Sequence, residues 1–296
     1  MDCINLELLY DNMLITIAIV IVFFMIFMHI YVIPTISKIY MYNPRRATID
    51  EFYKLSKKYK RNEEFIKFKA TDKTKLTGMF INYHKKPDWN DNIFLYSHGN
   101  GAWLGELLYS PQIHVLSNFG SVFTYDYRKY GLSEGYIDEE GTYSDIMGVW
   151  NYLTQVKKIS PKKIIIYGHS MGGAVSTKLV SMLVEKKQEL PLALILDGTF
   201  SSVIDMGNHM IPGFGQFASY TYDNVKNLQD IDNALPILVV HSPDDETVPY
   251  QQSIKIKQNS KCKHIEIKGT HNVPIFNKNV FEFIYQLTQE DYNKTN

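Results

Sequence analysis

The chain is poor in cysteine. Only Cys3 and Cys262 occur in its 296 residues, which leaves no disulfide framework and no cysteine-rich zinc site. It also lacks an excess of charge of either sign, since 31 basic and 31 acidic side chains cancel. That argues against a general nucleic-acid binder, which carries a basic balance. No internal repeat and no long low-complexity tract is present. One stretch has no charge at all: residues 14–33 are apolar apart from a few such as Thr16 and His29. As a helix this run would span ~30 Å, the thickness of a bilayer core, and Pro34 is expected to end it. Nothing basic precedes it, it is longer than the apolar core of a signal peptide, and no small-x-small site follows. A cleaved leader is therefore the poorer reading, and an uncleaved single-pass anchor the better one.

The expected organisation is a short tail over 1–13, a transmembrane anchor over 14–33, a juxtamembrane connector over 34–62 and one folded domain over 63–296. The connector carries Lys38, Arg45, Arg46, Lys54 and further basic residues, and reads as a solvated, partly helical segment within reach of anionic headgroups. Asp2, Glu7 and Asp11 precede the anchor without any lysine or arginine. Basic flanks stay inside, so the domain is expected to face the cytosol. The sequon Asn293-Lys294-Thr295 leans the other way, but lies close to the last residue.

Within the domain the abundant aromatics, 21 Tyr and 16 Phe, can furnish a large core. Residues 65–69 and 75–83 alternate apolar and polar types and predict an opening hairpin. Short apolar strands are expected at 93–96, 122–125, 164–167, 192–196, 237–240 and 264–267. Helices are expected at 105–118, 143–156, after residue 170, and at 279–289. This alternation predicts an α/β fold with a mostly parallel central sheet covered by helices on both faces. Sites in such sheets lie beyond the carboxyl ends of the strands.

One such end reads Gly168-His169-Ser170-Met171-Gly172. A strand turning sharply into a helix at a serine needs backbone room on either side, which glycine gives because it has no Cβ. The pattern fits a nucleophilic hydroxyl held on a sharp turn. A serine hydroxyl needs a base and the base an orienting acid, which in this fold follow in the order Ser, acid, His. The strand ending at Val240 is followed by Asp244-Asp245-Glu246, and Asp197 ends the strand before it. The last strand is followed by His271, in a loop after Gly269, whereas His264 sits inside an alternating strand and reads as structural. The tetrahedral intermediate needs two backbone N–H donors. Met171, next after the serine, is one. Asn100, in the loop after strand 93–96, is the better second candidate, ahead of Gly101.

Five segments, "SHGNGAWLG", "YDYRKYGLSEG", "GHSMGG", "HSPDDETVP" and "GTHN", occur in this order over about residues 65–290. Together they resemble the α/β-hydrolase superfamily of serine hydrolases, and most of all its membrane-anchored branch related to the Bem46-like hydrolases and to cytoplasmic protein depalmitoylases. The resemblance implies Ser170 as nucleophile, Asp245 as acid, His271 as base, and Asn100 and Met171 at the oxyanion hole. It departs at Ser242, where the family has glycine, and at Asp197, where the branch often has glutamate; Asp197 is read as structural, as are Asp126 and Arg128.

The implied chemistry is two-step acyl transfer on an ester or thioester of a lipid or an acylated protein, without metal or organic cofactor. Residues 200–235, apolar and rich in glycine, are expected either to form a lid over an acyl pocket or to complete the core. Two alternatives stand beside this reading: a peptidase or amidase on the same triad, and a non-catalytic membrane scaffold. Partners beyond the bilayer and the acyl substrate, and the oligomeric state, are not legible in the sequence.

Overall fold

The computed structural model describes residues 6–58, 65–81 and 92–295. The first helix, α1 (Leu6–Phe27), passes through a wide turn at Met28–Val32 directly into α2 (Ile33–Met41). The expectation that Pro34 ends the helix is therefore wrong. The amide of Ile33 reaches back to the carbonyl of Met28, one residue further than in an α-helix. This wide turn absorbs the proline, which enters α2 in its first turn, where its missing N–H is tolerated. The segment Met13–Val32 is the one helix among the described residues long and apolar enough to cross a membrane. Its described side chains over residues 13–27 are all exposed, as an unpartnered span requires.

The connector is not a solvated tether. Met41 and Tyr42 are buried, and so is Phe52 in α3 (Ile49–Lys58). Residues 59–62, its expected end, lie outside the described residues. The opening hairpin is present as β1 (Ile66–Lys69) and β2 (Lys75–Ile81), paired Ile66 to Gly78; residues 82–83 of the expected second strand lie outside the described residues. Then follow β3 (Ile93–Ser97), α4 (Leu104–Leu107), α5 (Pro111–Leu116) and β4 (Ser121–Tyr125). A single helix over 105–118 was expected. Pro111 divides it, because a proline cannot continue a helix and pushes the residue before it into extended backbone, as seen at Ser110 (ψ 131°).

The chain continues through α6 (Glu139–Asn151), β5 (Ile164–His169), α7 (Met171–Glu185), β6 (Ala193–Asp197), α8 (Val203–Met210), α9 (Asn224–Ile231), β7 (Ile237–His241), α10 (Gln251–Asn259) and β8 (Lys263–Glu266). A small hairpin, β9 (Lys268–Thr270) with β10 (Val273–Ile275), precedes the closing helix α11 (Lys278–Thr295). The sheet order is β1-β2-β4-β3-β5-β6-β7-β8. The first two pairings are antiparallel and the rest parallel. One apolar layer packs α6, α7, α9 and α10 on one face. The other packs α3, α4, α5 and α11 on the opposite face. The strands of the sheet's middle are buried on both faces, which is why they read as unbroken apolar runs. Strand β5 lies between β3 and β6, so its carboxyl end opens at the centre of the sheet's upper edge.

Candidate active site

Ser170 stands between β5 and α7 with φ 55° and ψ −123°. A non-glycine residue at positive φ is held there against a cost of ~1–3 kcal/mol. The neighbours show why the flanks must be glycine. A Cβ on Gly168 would lie 2.4 Å from the carbonyl oxygen of Gly172, and one on Gly172 would lie 2.1 Å from that of Ser97. The elbow is tied down from behind. The Ser170 amide donates to the Asp197 carbonyl at 2.9 Å, and the Thr199 hydroxyl donates to the Ser170 carbonyl at 2.8 Å. The Ser170 amide is thereby spent and cannot face a substrate.

His271 occupies the two-residue tip of the β9–β10 hairpin, a strand pair the sequence reading did not foresee. Gly269 makes the hairpin possible: its φ is +98°, and a Cβ there would lie 2.2 Å from the Val273 carbonyl oxygen. His271 Nδ1–H donates to Asp245 Oδ2 at 2.7 Å, and its amide donates to the Glu246 carboxylate at 3.0 Å. The second oxygen of Asp245 accepts from the amides of Thr247 (2.9 Å) and Val248 (2.7 Å). His241 Nε2 lies 3.3 Å from Asp245 Oδ2. Burial alone would raise the Asp245 pKa. The hydrogen bonds from His241 and His271, with the His271 charge and the Val248 amide, outweigh it and hold the carboxyl well below the usual carboxylate range. Asp245 thus stays ionised and fixes one ring orientation of His271.

The three adjacent acids are sorted by the turn: Asp245 points at the ring, while Glu246 holds the His271 backbone. Asp197 serves another ring. Its Oδ2 accepts from the Tyr167 hydroxyl at 2.7 Å and lies 3.2 Å from His169 Nδ1. His169 in turn packs against His271, ring centroids 4.7 Å apart.

The loop after β3 passes directly over the nucleophile. A Cβ on Gly99 would lie 3.4 Å from Ser170 Cβ and 3.8 Å from its Oγ. Tyrosines from the "YDYRKY" segment pin this loop. Tyr127 donates to the His98 carbonyl at 2.9 Å and Tyr130 to the Asn100 carbonyl at 2.7 Å. The Asn43 amide, from the connector, also donates to the Asn100 carbonyl, at 3.1 Å. With its carbonyl clamped on one side, the Asn100 backbone is fixed relative to Ser170. His98 Nδ1–H donates to the Gly99 carbonyl at 2.6 Å, and burial pushes its pKa down to about 4. It is a neutral structural ring, not a second base. Asp126 and Arg128 are also structural: Asp126 accepts from the Leu104 amide, and Arg128 grips Asp145 through two nitrogens, at 3.0 and 2.8 Å. The roles of Asn43, Tyr130 and His169, and the hold of Glu246 on the His271 backbone, escaped the sequence reading. Only Tyr130 had a sequence signal, the tyrosine spacing after β4.

Two clefts meet at Ser170. One, of about 460 Å³, also takes in Met171 and Asn100 and is walled by apolar residues of the segment after β6, among them Val203, Met206 and Phe214. The other, of about 500 Å³, contains His271 and His169 and has a mixed wall, with Leu107, Tyr109 and Pro111 beside Glu106, Gln112 and Asn272. The expected lid thus divides. Residues 203–218 cover the apolar cleft, while α9 buries Leu228 and Ile231 in the core. Glu139 fastens the lid's end, accepting from the Thr221 and Tyr222 amides at 2.7 and 2.8 Å.

Comparison with known proteins agrees with this architecture. Residues 137–268 match the model of the prolyl oligopeptidase family. Protein bem46 of Schizosaccharomyces pombe is 29% identical over 245 residues, 80% of each chain. Lysophosphatidylserine lipase ABHD12 of Danio rerio is 32% identical over 59% of this chain, which spans only about half (48%) of that lipase. A crystallised alpha-beta hydrolase from Vibrio vulnificus superposes with a TM-score of 0.63 at 18% identity, over 83% of this chain and 96% of its own. The chain is a serine hydrolase of the α/β-hydrolase superfamily. Within that superfamily it belongs beside the Bem46-like proteins.

Proposed function

We propose that the protein is a membrane-anchored acyl-ester or thioester hydrolase working through Ser170, His271 and Asp245. The observation that carries this reading is the meeting at Ser170 of two clefts of different character, one strongly apolar and one mixed. The apolar one suits an acyl chain, and the mixed one, with Glu106, Gln112 and Asn272 on its wall, suits a leaving group with polar atoms. Ser170 Oγ attacks the acyl carbonyl while His271 Nε2 takes its proton. The oxyanion is met by the backbone N–H groups of Asn100 and Met171, the latter at the positive end of α7. His271 then returns the proton to the departing oxygen or sulfur as the C–O or C–S bond breaks, leaving an acyl-Ser170. Water, losing its proton to the same ring, attacks that ester and releases the acid. The relative named as a lysophosphatidylserine lipase supports a single-chain lipid ester as substrate.

The prolyl oligopeptidase match keeps peptide cleavage as the second reading. Wild-type enzyme presented with p-nitrophenyl esters, acyl thioesters and aminoacyl-naphthylamides should turn over the first two. Turnover of the naphthylamides alone would favour the peptidase. The basic residues after the span favour a cytosolic orientation of the domain. Protease added to sealed membrane vesicles with the cytosolic face outward should then digest the domain without detergent, and protection until detergent is added would reverse the orientation.

A further inference from the structure

The apolar cleft at Ser170 has a wall that the hydrolase domain does not supply. Ile36 and Met41 of α2 line it opposite Val203, Met206 and Phe214. Met41 is buried, and Ile36 is 39% exposed at the opening. The segment that follows α2 locks this wall in place. The Tyr42 hydroxyl lies 2.8 Å from that of Tyr222, at the lid's root. The Asn43 amide holds the Asn100 carbonyl, and the Arg45 carbonyl accepts from the Gly131 amide at 2.8 Å. At its other end α2 runs without a break into the span Met13–Val32.

The distances along the helix fix where the opening lies. At ~1.5 Å rise per residue, Ile36 stands about 6 Å beyond Val32. A bilayer of about 30 Å core and 40–45 Å total thickness has a headgroup layer of roughly that depth on each side. The mouth of the cleft therefore falls in the headgroup layer. The lid beside it exposes apolar Met210, Ile211, Phe214 and Phe217, an apolar surface that suits that location.

We infer that α2 is one wall of the acyl site, that the acyl chain of a bilayer lipid or lipid-anchored ester enters beside it, and that Ile36 and Met41 set the chain length accepted. This rests on the acyl-hydrolase reading and adds to it a source for the substrate and two specificity residues. It also makes the anchor part of the site.

The test uses the full chain in phosphatidylcholine vesicles and two probes, a butyl and a hexadecyl fluorophosphonate, whose labelling rates are compared as a ratio. Met41→Trp fills the inner wall, and Ile36→Trp, at the exposed mouth, guards against a folding failure of the first. Each should lower the hexadecyl-to-butyl ratio by about tenfold or more, the scale of a misfit in an apolar pocket. Ile39→Trp, on the same helix but 68% exposed and outside the cleft, should leave the ratio as in the wild type. An unchanged ratio in the folded Ile36→Trp protein, or an equal fall in Ile39→Trp, would overturn the inference. Absence of labelling in the wild type by either probe would instead overturn the catalytic reading beneath it.

Discussion

Ser170→Ala should lower ester turnover by on the order of 10⁴-fold or more while the protein keeps its melting temperature. The size follows from the loss of the only group that can form the acyl-enzyme in this mechanism, and triad nucleophiles elsewhere show losses of this order or larger. The unchanged stability follows from the backbone. Serine and alanine both carry a Cβ, so both meet the same cost at φ 55°. The contacts that hold the elbow come from main-chain atoms of residue 170, through the Asp197 carbonyl, the Gly173 amide and the Thr199 hydroxyl. A folded Ser170→Ala enzyme with wild-type turnover would remove Ser170 from the mechanism. A large fall in melting temperature would mean that the hydroxyl itself supports the turn.

The second large effect is expected at the acid. Asp245→Asn should cost about 10⁴-fold, as when the acid of a triad is replaced by its amide. The asparagine oxygen can still accept from the Thr247 and Val248 amides, so the turn survives. Its amide group then faces His271 Nδ1, where a donor now meets a donor. The ring answers by moving its proton to Nε2, and Nε2 can no longer take a proton from Ser170. Asp197→Asn should cost far less, because Asp197 is bound to Tyr167 and His169 and not to His271. Comparing kcat/KM of the two variants on one ester decides between them. A larger loss at Asp197 would transfer the orienting role to that residue.

Local chemistry made most of this site legible in the sequence. The glycines around Ser170 are demanded by contacts under 3 Å with Gly172 and Ser97, and such a demand leaves its mark in residue type. The central strands, apolar on both faces, were equally plain. What escaped depends on contacts between distant segments. The β9–β10 hairpin that carries His271 is made of Lys-Gly-Thr and Val-Pro-Ile, too short and too mixed for a period-2 pattern. Asp245 could not be told from Asp244 and Glu246 by the residues alone, because the turn decides which carboxylate faces the ring. The connector read as solvated because its charges dominate its composition. Its buried residues are few: Met41 and Tyr42 at the end of α2, and in α3 a stripe one turn long, Phe52 and Ser56 with Leu55 beside them. Pro34 misled for a related reason: it is a breaker in an isolated α-helix, but the wide turn at Met28–Val32 accommodates it.

The measurement that bears most directly on the account is the site of covalent capture. Full-length wild-type protein, active on an ester, is reacted with a fluorophosphonate until activity is lost, then digested and weighed peptide by peptide. A single adduct is expected, on Ser170, in step with the loss of activity and absent when the protein is unfolded first, since the unfolded chain lacks the His271–Asp245 pair that activates the hydroxyl. An adduct on another residue, or inactivation without any adduct on Ser170, would contradict the account at its centre.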